Sequence, residues 1–177
     1  MPTVAIATDA DLDAIAALVN SAYRGDSSRV GWTTEADLLG GQRTDPATLR
    51  ADLASHPGAV LLTVRDEADG TLLGSVWLEP KGAERWYLGM LTVRPDLQAR
   101  GIGRRLLEEA ERYASARGAR RMRMTVITVR DTLLEWYERR GYVRTGELSP
   151  FPYGKDEFGR PRREDLQFEA LEKPLAR

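Results

Sequence analysis

The chain runs to 177 residues with 42% hydrophobic and 30% charged residues, a formal net charge of −1 and no cysteine. Its length suits a single domain over residues 1–177 with one continuous core, and its near-neutral balance gives no basic footprint for nucleic acid or an acidic membrane surface. Without cysteine there is no thiol nucleophile, disulfide framework or thiolate metal site, and no apolar run approaches the roughly 18 residues that span a bilayer.

Met1-Pro2-Thr3-Val4 has neither the basic flank nor the apolar core of a secretion signal, so the cytoplasm is the expected compartment. Thr3 to Ala7 reads as a strand, and Thr8 or Asp9 caps a helix whose Leu12, Ile15, Ala16, Leu18 and Val19 recur at helical spacing. A polar loop, Arg24 to Trp32, leads to a short helix, Glu35 to Leu39, that Gly40-Gly41 ends. Asp45-Pro46 supplies a cap and a first-turn proline for a helix to about Ser55. The lone histidine, His56, reads as a surface residue at that helix's exit, and neither a Ser–His triad nor a histidine metal site can be assembled around it. A meander follows, with strands at Ala59 to Arg65, Thr71 to Leu78 and Arg85 to Val93, broken by Arg94-Pro95-Asp96. Gly101 to Ala116 is an amphipathic helix stopped by Gly118, and Arg121 to Thr128 alternates as a half-exposed strand. Asp131 to Arg140 is a helix closed by Gly141, Tyr142 to Leu148 and Leu166 to Leu171 are strands, and Ser149 to Asp165 between them is loop. The order βααα-βββ-αβ-αββ implies an α/β (α+β) fold, one mixed sheet with helices on both faces.

The most informative stretch is Leu91-Thr92-Val93-Arg94-Pro95-Asp96-Leu97-Gln98-Ala99-Arg100-Gly101-Ile102-Gly103-Arg104. A strand ends, a loop follows, and a helix opens at two glycines. The first turn of a helix presents unpaired N–H groups and the positive end of the dipole, and glycines let a phosphate approach its backbone. Arg100 and Arg104 add charge, and Gln98 a neutral donor. A dinucleotide fingerprint fails at Leu106, where a third small residue is required, and no Gly-Lys-Ser/Thr exists for a P-loop.

Gln98-Ala99-Arg100-Gly101-Ile102-Gly103 matches the (Gln/Arg)-x-x-Gly-x-(Gly/Ala) motif, and Tyr137-Glu138-Arg139-Arg140-Gly141-Tyr142 matches Tyr-x-x-x-Gly-(Phe/Tyr). On these motifs the chain resembles the GCN5-related N-acetyltransferases (GNAT superfamily) over nearly its whole length. The resemblance implies a mostly antiparallel sheet of about seven strands splayed between the fourth and fifth. It implies acetyl-CoA as co-substrate, with Leu91, Thr92 and Val93 beside the pantetheine arm. Gln98, Ala99, Arg100, Gly101, Ile102, Gly103 and Arg104 would then surround the pyrophosphate. Arg130 stands where many relatives carry Asn, and is assigned to the cofactor phosphates or to an acidic group on the substrate.

Acetyl transfer from a thioester to an amine requires a neutral amine, donors for the oxyanion and a proton for the departing thiolate. Direct attack requires neither a protein nucleophile nor a metal. The resemblance makes Tyr137 the acid, in preference to a core aromatic beside Leu133 and Trp136. Glu79, Glu84 and Glu35 are candidates for a base, each of a type more often found as a plain surface carboxylate. The acceptor pocket is expected between Asn20 to Arg43 and Ser149 to Asp165, where Tyr23, Trp32, Glu35 and Tyr153 are candidate contacts, with Phe151 and Phe158 nearby. Aromatic walls suggest a small-molecule amine. A non-catalytic acyl-CoA-binding regulatory module, transfer of a longer acyl group and a protein or peptide amine are the alternatives, and a homodimer is left open.

Overall fold

The computed structural model describes residues 2–23, 39–40, 43–98, 100–151 and 160–176. In chain order these form β1 (Thr3–Ile6), α1 (Leu12–Tyr23), β2 (Leu39–Gly40), α2 (Pro46–Ser55), β3 (Val60–Arg65), β4 (Leu72–Pro80), β5 (Arg85–Val93), α3 (Ile102–Ser115), β6 (Arg121–Ile127), α4 (Asp131–Glu138), β7 (Val143–Pro150), β8 (Arg160–Pro161) and β9 (Gln167–Pro174).

The helix starts follow their caps. Thr8 and Asp11 close a capping box over a single 3₁₀ turn before α1, with the Thr8 amide 2.7 Å from Asp11 Oδ2. Asp45 accepts the Thr48 amide at 2.8 Å, and Pro46 occupies the first turn of α2.

Seven strands form one sheet in the order β1-β3-β4-β5-β6-β9-β7. Every neighbouring pair is antiparallel except β5 and β6, which run parallel. Strand β4 is buried along nearly its whole length because helices cover both faces. Val76 and Leu78 point to a cluster with Leu106, Leu107 and Ala110 of α3 and with Leu134 of α4. Trp77, between them, points to the opposite cluster with Leu12, Ile15 and Val19 of α1 and Leu49 of α2. Successive residues of a strand face opposite ways, so one strand feeds two cores.

Two expectations are corrected. Leu39 does not end a helix: it pairs with Pro161, and Gly40 with Arg160, as the two-stranded β2–β8 ribbon, while residues 35–38 lie outside the described residues. The segment Ser149 to Asp165, read as loop, supplies the end of β7 and all of β8. Both are long-range pairings, which local sequence patterns do not encode. The ribbon joins the two segments expected to enclose the acceptor. Among the described residues, no helix is long and apolar enough to cross a membrane.

Candidate active site

Strands β5 and β6 hydrogen-bond only where Arg85, Trp86 and Tyr87 face Arg121, Met122 and Arg123. Beyond Tyr87 they part. The register of β5 on its other neighbour explains the direction. Ser75 of β4 stands opposite Thr92 and Trp77 opposite Gly89, so Val76 alone faces both Met90 and Leu91. That is a β-bulge, and Met90 takes a φ of +48° to make it. A side chain in the left-handed region costs about 1 kcal/mol or more, strain that clusters at functional sites. Tyr23, the last residue of α1, donates its hydroxyl to the Leu91 carbonyl oxygen and so braces the bulge. The gap between the strands is a cleft of about 1000 Å³.

Below the bulge, Gln98 donates from Nε2 to the Val93 carbonyl oxygen at 3.2 Å, folding the loop against its strand. Gly101 caps α3 with φ +83°, a conformation that disfavours any side chain. The Arg105 amide closes the first helical turn onto Gly101 O at 3.0 Å, which leaves the amides of the first turn at the helix mouth. This mouth opens on a second cleft, of about 610 Å³, lined by Gly101, Gly103, Arg104, Trp136 and Arg140 among others.

A family model described as "Acetyltransferase (GNAT) family" matches residues 17–142. The chain belongs to the GNAT acetyltransferase family. The ribosomal-protein-S18-alanine N-acetyltransferase of Escherichia coli superposes with a TM-score of 0.71 at 16% identity, covering 100% of this chain and 96% of that one. A GNAT superfamily phosphinothricin acetyltransferase from Sinorhizobium meliloti, solved in complex with acetyl-CoA, gives 0.70 at 18% identity over 99% and 89%. At those identities the likeness is one of fold. Mycothiol acetyltransferase from Beutenbergia cavernae is 34% identical over 85 residues, 48% of this chain. The chain matches 29% of the length of that relative, and 28% of its counterpart from Propionibacterium freudenreichii.

Within this GNAT acetyltransferase, Tyr137 stands where the two clefts meet, together with Tyr23, Leu91 and Leu133. Its ring is wedged between Trp136 (5.0 Å between centroids) and Tyr142 (5.8 Å), and only 5% of the residue is exposed. Burial pushes its hydroxyl far above the ordinary tyrosine value, Tyr23 adds to the rise and Arg130 opposes it. The phenol is therefore neutral, a donor at any working pH.

Leu91, Val93, Gln98, Gly101, Gly103 and Arg104 all line the helix-mouth cleft. Arg100 is exposed, Ile102 packs against the core, and Thr92 is buried with its hydroxyl on the Met90 carbonyl oxygen at 2.9 Å. Arg130 lines the splay cleft instead, its guanidinium 5.8 Å over the Tyr23 ring. Ala99, Trp32, Glu35 and Tyr153 lie outside the described residues. Glu84 is exposed and paired with Arg120, away from both clefts. Glu79 is buried.

Several lining residues were not anticipated. Arg140 stacks on Trp136 at 3.7 Å and donates to its carbonyl oxygen at 2.9 Å. Its Nε is buried without a hydrogen-bond partner among the described residues. Burial, with Arg139 and Arg104 close by, pulls this guanidinium below the ordinary arginine range. Concentrated positive charge with an unused donor fits an anionic ligand. Phe168 of β9 was likewise not expected; it lines the splay cleft stacked on Phe151 at 5.7 Å, beside Arg43, and these last two belong to the segments expected to form the acceptor pocket. The second motif named Arg140 only as a spacer.

Proposed function

We propose that this acetyltransferase takes acetyl-CoA and passes its acetyl group directly to the amine of a small molecule. The observation that carries the reading is the continuity of two clefts at Tyr137: a basic helix mouth suited to a pyrophosphate, and a splay between strands suited to an extended arm. Gly103 supports it, because a Cβ there would stand 3.5 Å from Val93 Cγ2 and 3.6 Å from Trp136 Cζ2, ordinary contacts. The protein's own packing does not require glycine at this position, whereas close approach of a ligand does.

The pyrophosphate would meet the first-turn amides of α3 with Arg104 and Arg140, and the pantetheine arm would run along β5 past Val93 and Leu91. The bulge turns backbone of Met90 and Leu91 out of the ladder toward the thioester, where an N–H can meet the oxyanion. The amine nitrogen attacks the carbonyl carbon, the C–S bond breaks, and the thiolate meets the Tyr137 hydroxyl. Since burial holds that proton tightly, hydrogen-bond donation to the sulfur outweighs complete transfer during bond cleavage.

The acceptor would enter the splay cleft between Tyr23, Phe151 and Phe168. Arg43 lines this cleft, and its guanidinium makes no ion pair or hydrogen bond among the described residues, which favours an acceptor that also carries an anionic group. Acetyl-CoA and CoA should raise the melting temperature while NAD and ATP leave it unchanged. Thiol release from acetyl-CoA should then depend on an amine from a panel of the twenty amino acids, spermidine, kanamycin and a short lysine peptide. A shift with NAD but not CoA, or release that no amine stimulates, refutes the reading.

A further inference from the structure

The chain's one histidine lies at the end of α2, as its sequence position implies, with its ring part-buried against Trp77. His56 Nδ1 is 2.8 Å from the Asp52 carbonyl oxygen and 3.1 Å from Ser55 Oγ. A carbonyl oxygen only accepts, so Nδ1 carries the proton and Nε2 carries the lone pair. The ring stands edge-on to Trp77, with centroids 5.8 Å apart at 89°. Nε2 faces Glu79 Oε2 at 3.9 Å, and the other carboxylate oxygen, Oε1, holds Lys81 Nζ at 3.2 Å. The Glu79 side chain is only 9% exposed, so this carboxylate is aimed at the imidazole and the Lys81 ammonium rather than at solvent.

Asp52, His56, Trp77 and Glu79 line a groove of about 1100 Å³ on the α2 side of the sheet. Its floor includes Gly89 and Met90, and Arg43 stands at its side. The same three residues line the splay cleft, so the groove and the cleft border the same stretch of the bulge. A Cβ at Gly89 would lie 3.0 Å from Tyr87 Cε1, a tight contact that the tyrosine ring would have to yield to.

We propose that His56 is the base for acetyl transfer, receiving the amine proton at Nε2 through water in this groove, with Glu79 as a positioning residue that stabilises the imidazolium. This rests on the transferase reading given above. The amine forms its C–N bond and loses one proton to Nε2, and the C–S electron pair leaves with sulfur. The thiolate is stabilised by the Tyr137 hydroxyl and collects a proton from solvent on release. The imidazolium returns its proton to solvent through the exposed part of the ring, whose side chain is 41% accessible. The charged and titratable groups around it are Asp52 and Arg43 beside α2, Glu79 and Lys81 at the end of β4, and Tyr87 on β5.

The test uses the full chain and whichever panel amine the wild-type protein acetylates fastest. His56→Gln should lower kcat about 100-fold, within the range for general base catalysis, with the KM for acetyl-CoA and the CoA-induced melting shift unchanged. The acidic limb of the pH–kcat profile, where protonation of the base removes activity, should disappear in this variant. In His56→Ala, added imidazoles should restore turnover, and the restored rate should rise with the basicity of the imidazole. A histidine that only ends α2 and packs on Trp77 predicts a lower melting temperature and no basicity trend. Turnover of His56→Gln within about threefold of wild type overturns the inference, as does rescue indifferent to basicity. If wild type acetylates no amine at all, the transferase reading falls first and this inference with it.

Discussion

Replacing Tyr137 with phenylalanine takes a single oxygen from the wall between the two clefts and leaves the ring between Trp136 and Tyr142. That hydroxyl makes no hydrogen bond among the described residues, so its loss breaks nothing in the resting protein. Melting temperature should change by no more than about 1 kcal/mol or roughly 2–4 °C, because the hydroxyl has no protein partner to lose. Turnover should behave differently. A hydrogen bond to a charged acceptor in a dry site contributes about 1.5–3 kcal/mol, and losing it only in the transition state lowers kcat about 10- to 150-fold. Because burial raises the hydroxyl's proton affinity, the phenol stays protonated as pH climbs through the usual tyrosine value of about 10. Wild-type and Tyr137→Phe profiles should therefore run parallel on the alkaline side. The assay is continuous thiol release from acetyl-CoA, paired with thermal melts of both proteins. Unchanged turnover would return Tyr137 to the core, and a loss of activity accompanied by a fall in melting temperature would do the same.

Gly103→Leu should leave the melting temperature of the free protein unchanged or slightly raised, since leucine favours a helix over glycine by up to about 1 kcal/mol. It should nevertheless abolish the shift that CoA produces, and retention of that shift would show that the helix mouth is not the phosphate site. Arg43→Gln should raise KM at least about tenfold for an amino acid acceptor while barely affecting its decarboxylated amine, as expected for a lost charge-assisted contact. Equal effects on both would place the carboxylate elsewhere. Arg144 and Glu169 supply a stability test. Arg144 Nη2 lies 2.7 Å from Glu169 Oε1 and holds that carboxyl below its ordinary value. A depressed carboxyl stabilises the fold above its unfolded value of about 4.3 and loses that contribution as pH falls through the folded one. Arg144→Gln should cost about 1–2 kcal/mol at neutral pH, discounted for a half-exposed arginine, and the difference in melting temperature should close in acid. A difference that persists at low pH would mean packing, not charge, is lost.

Much of the fold and part of the site could be read from residues close together in the chain. Capping by Thr8 and Asp45, the period of α3 and the loop from Gln98 to Gly103 are local patterns, and local physics specifies them. The motif spacing to Gly141 marks Tyr137 in the same local way. The bulge was not legible. It depends on which residue of β4 faces Met90, and register is a property of two strands. The Tyr23–Leu91 brace spans 68 positions, and His56 meets Glu79 only because the end of α2 brings its ring onto Trp77 of β4. Arg140 reads as a spacer until burial leaves its Nε without a partner in the cleft wall. Local sequence specifies most of the elements, their order and the glycine turn that opens α3, each held by contacts within a few residues. Only packing sets how far β5 and β6 part, which side chains border the gap, and that the lone histidine lines the groove beside it. Those features arise from packing between segments that the sequence separates, and no local pattern carries them.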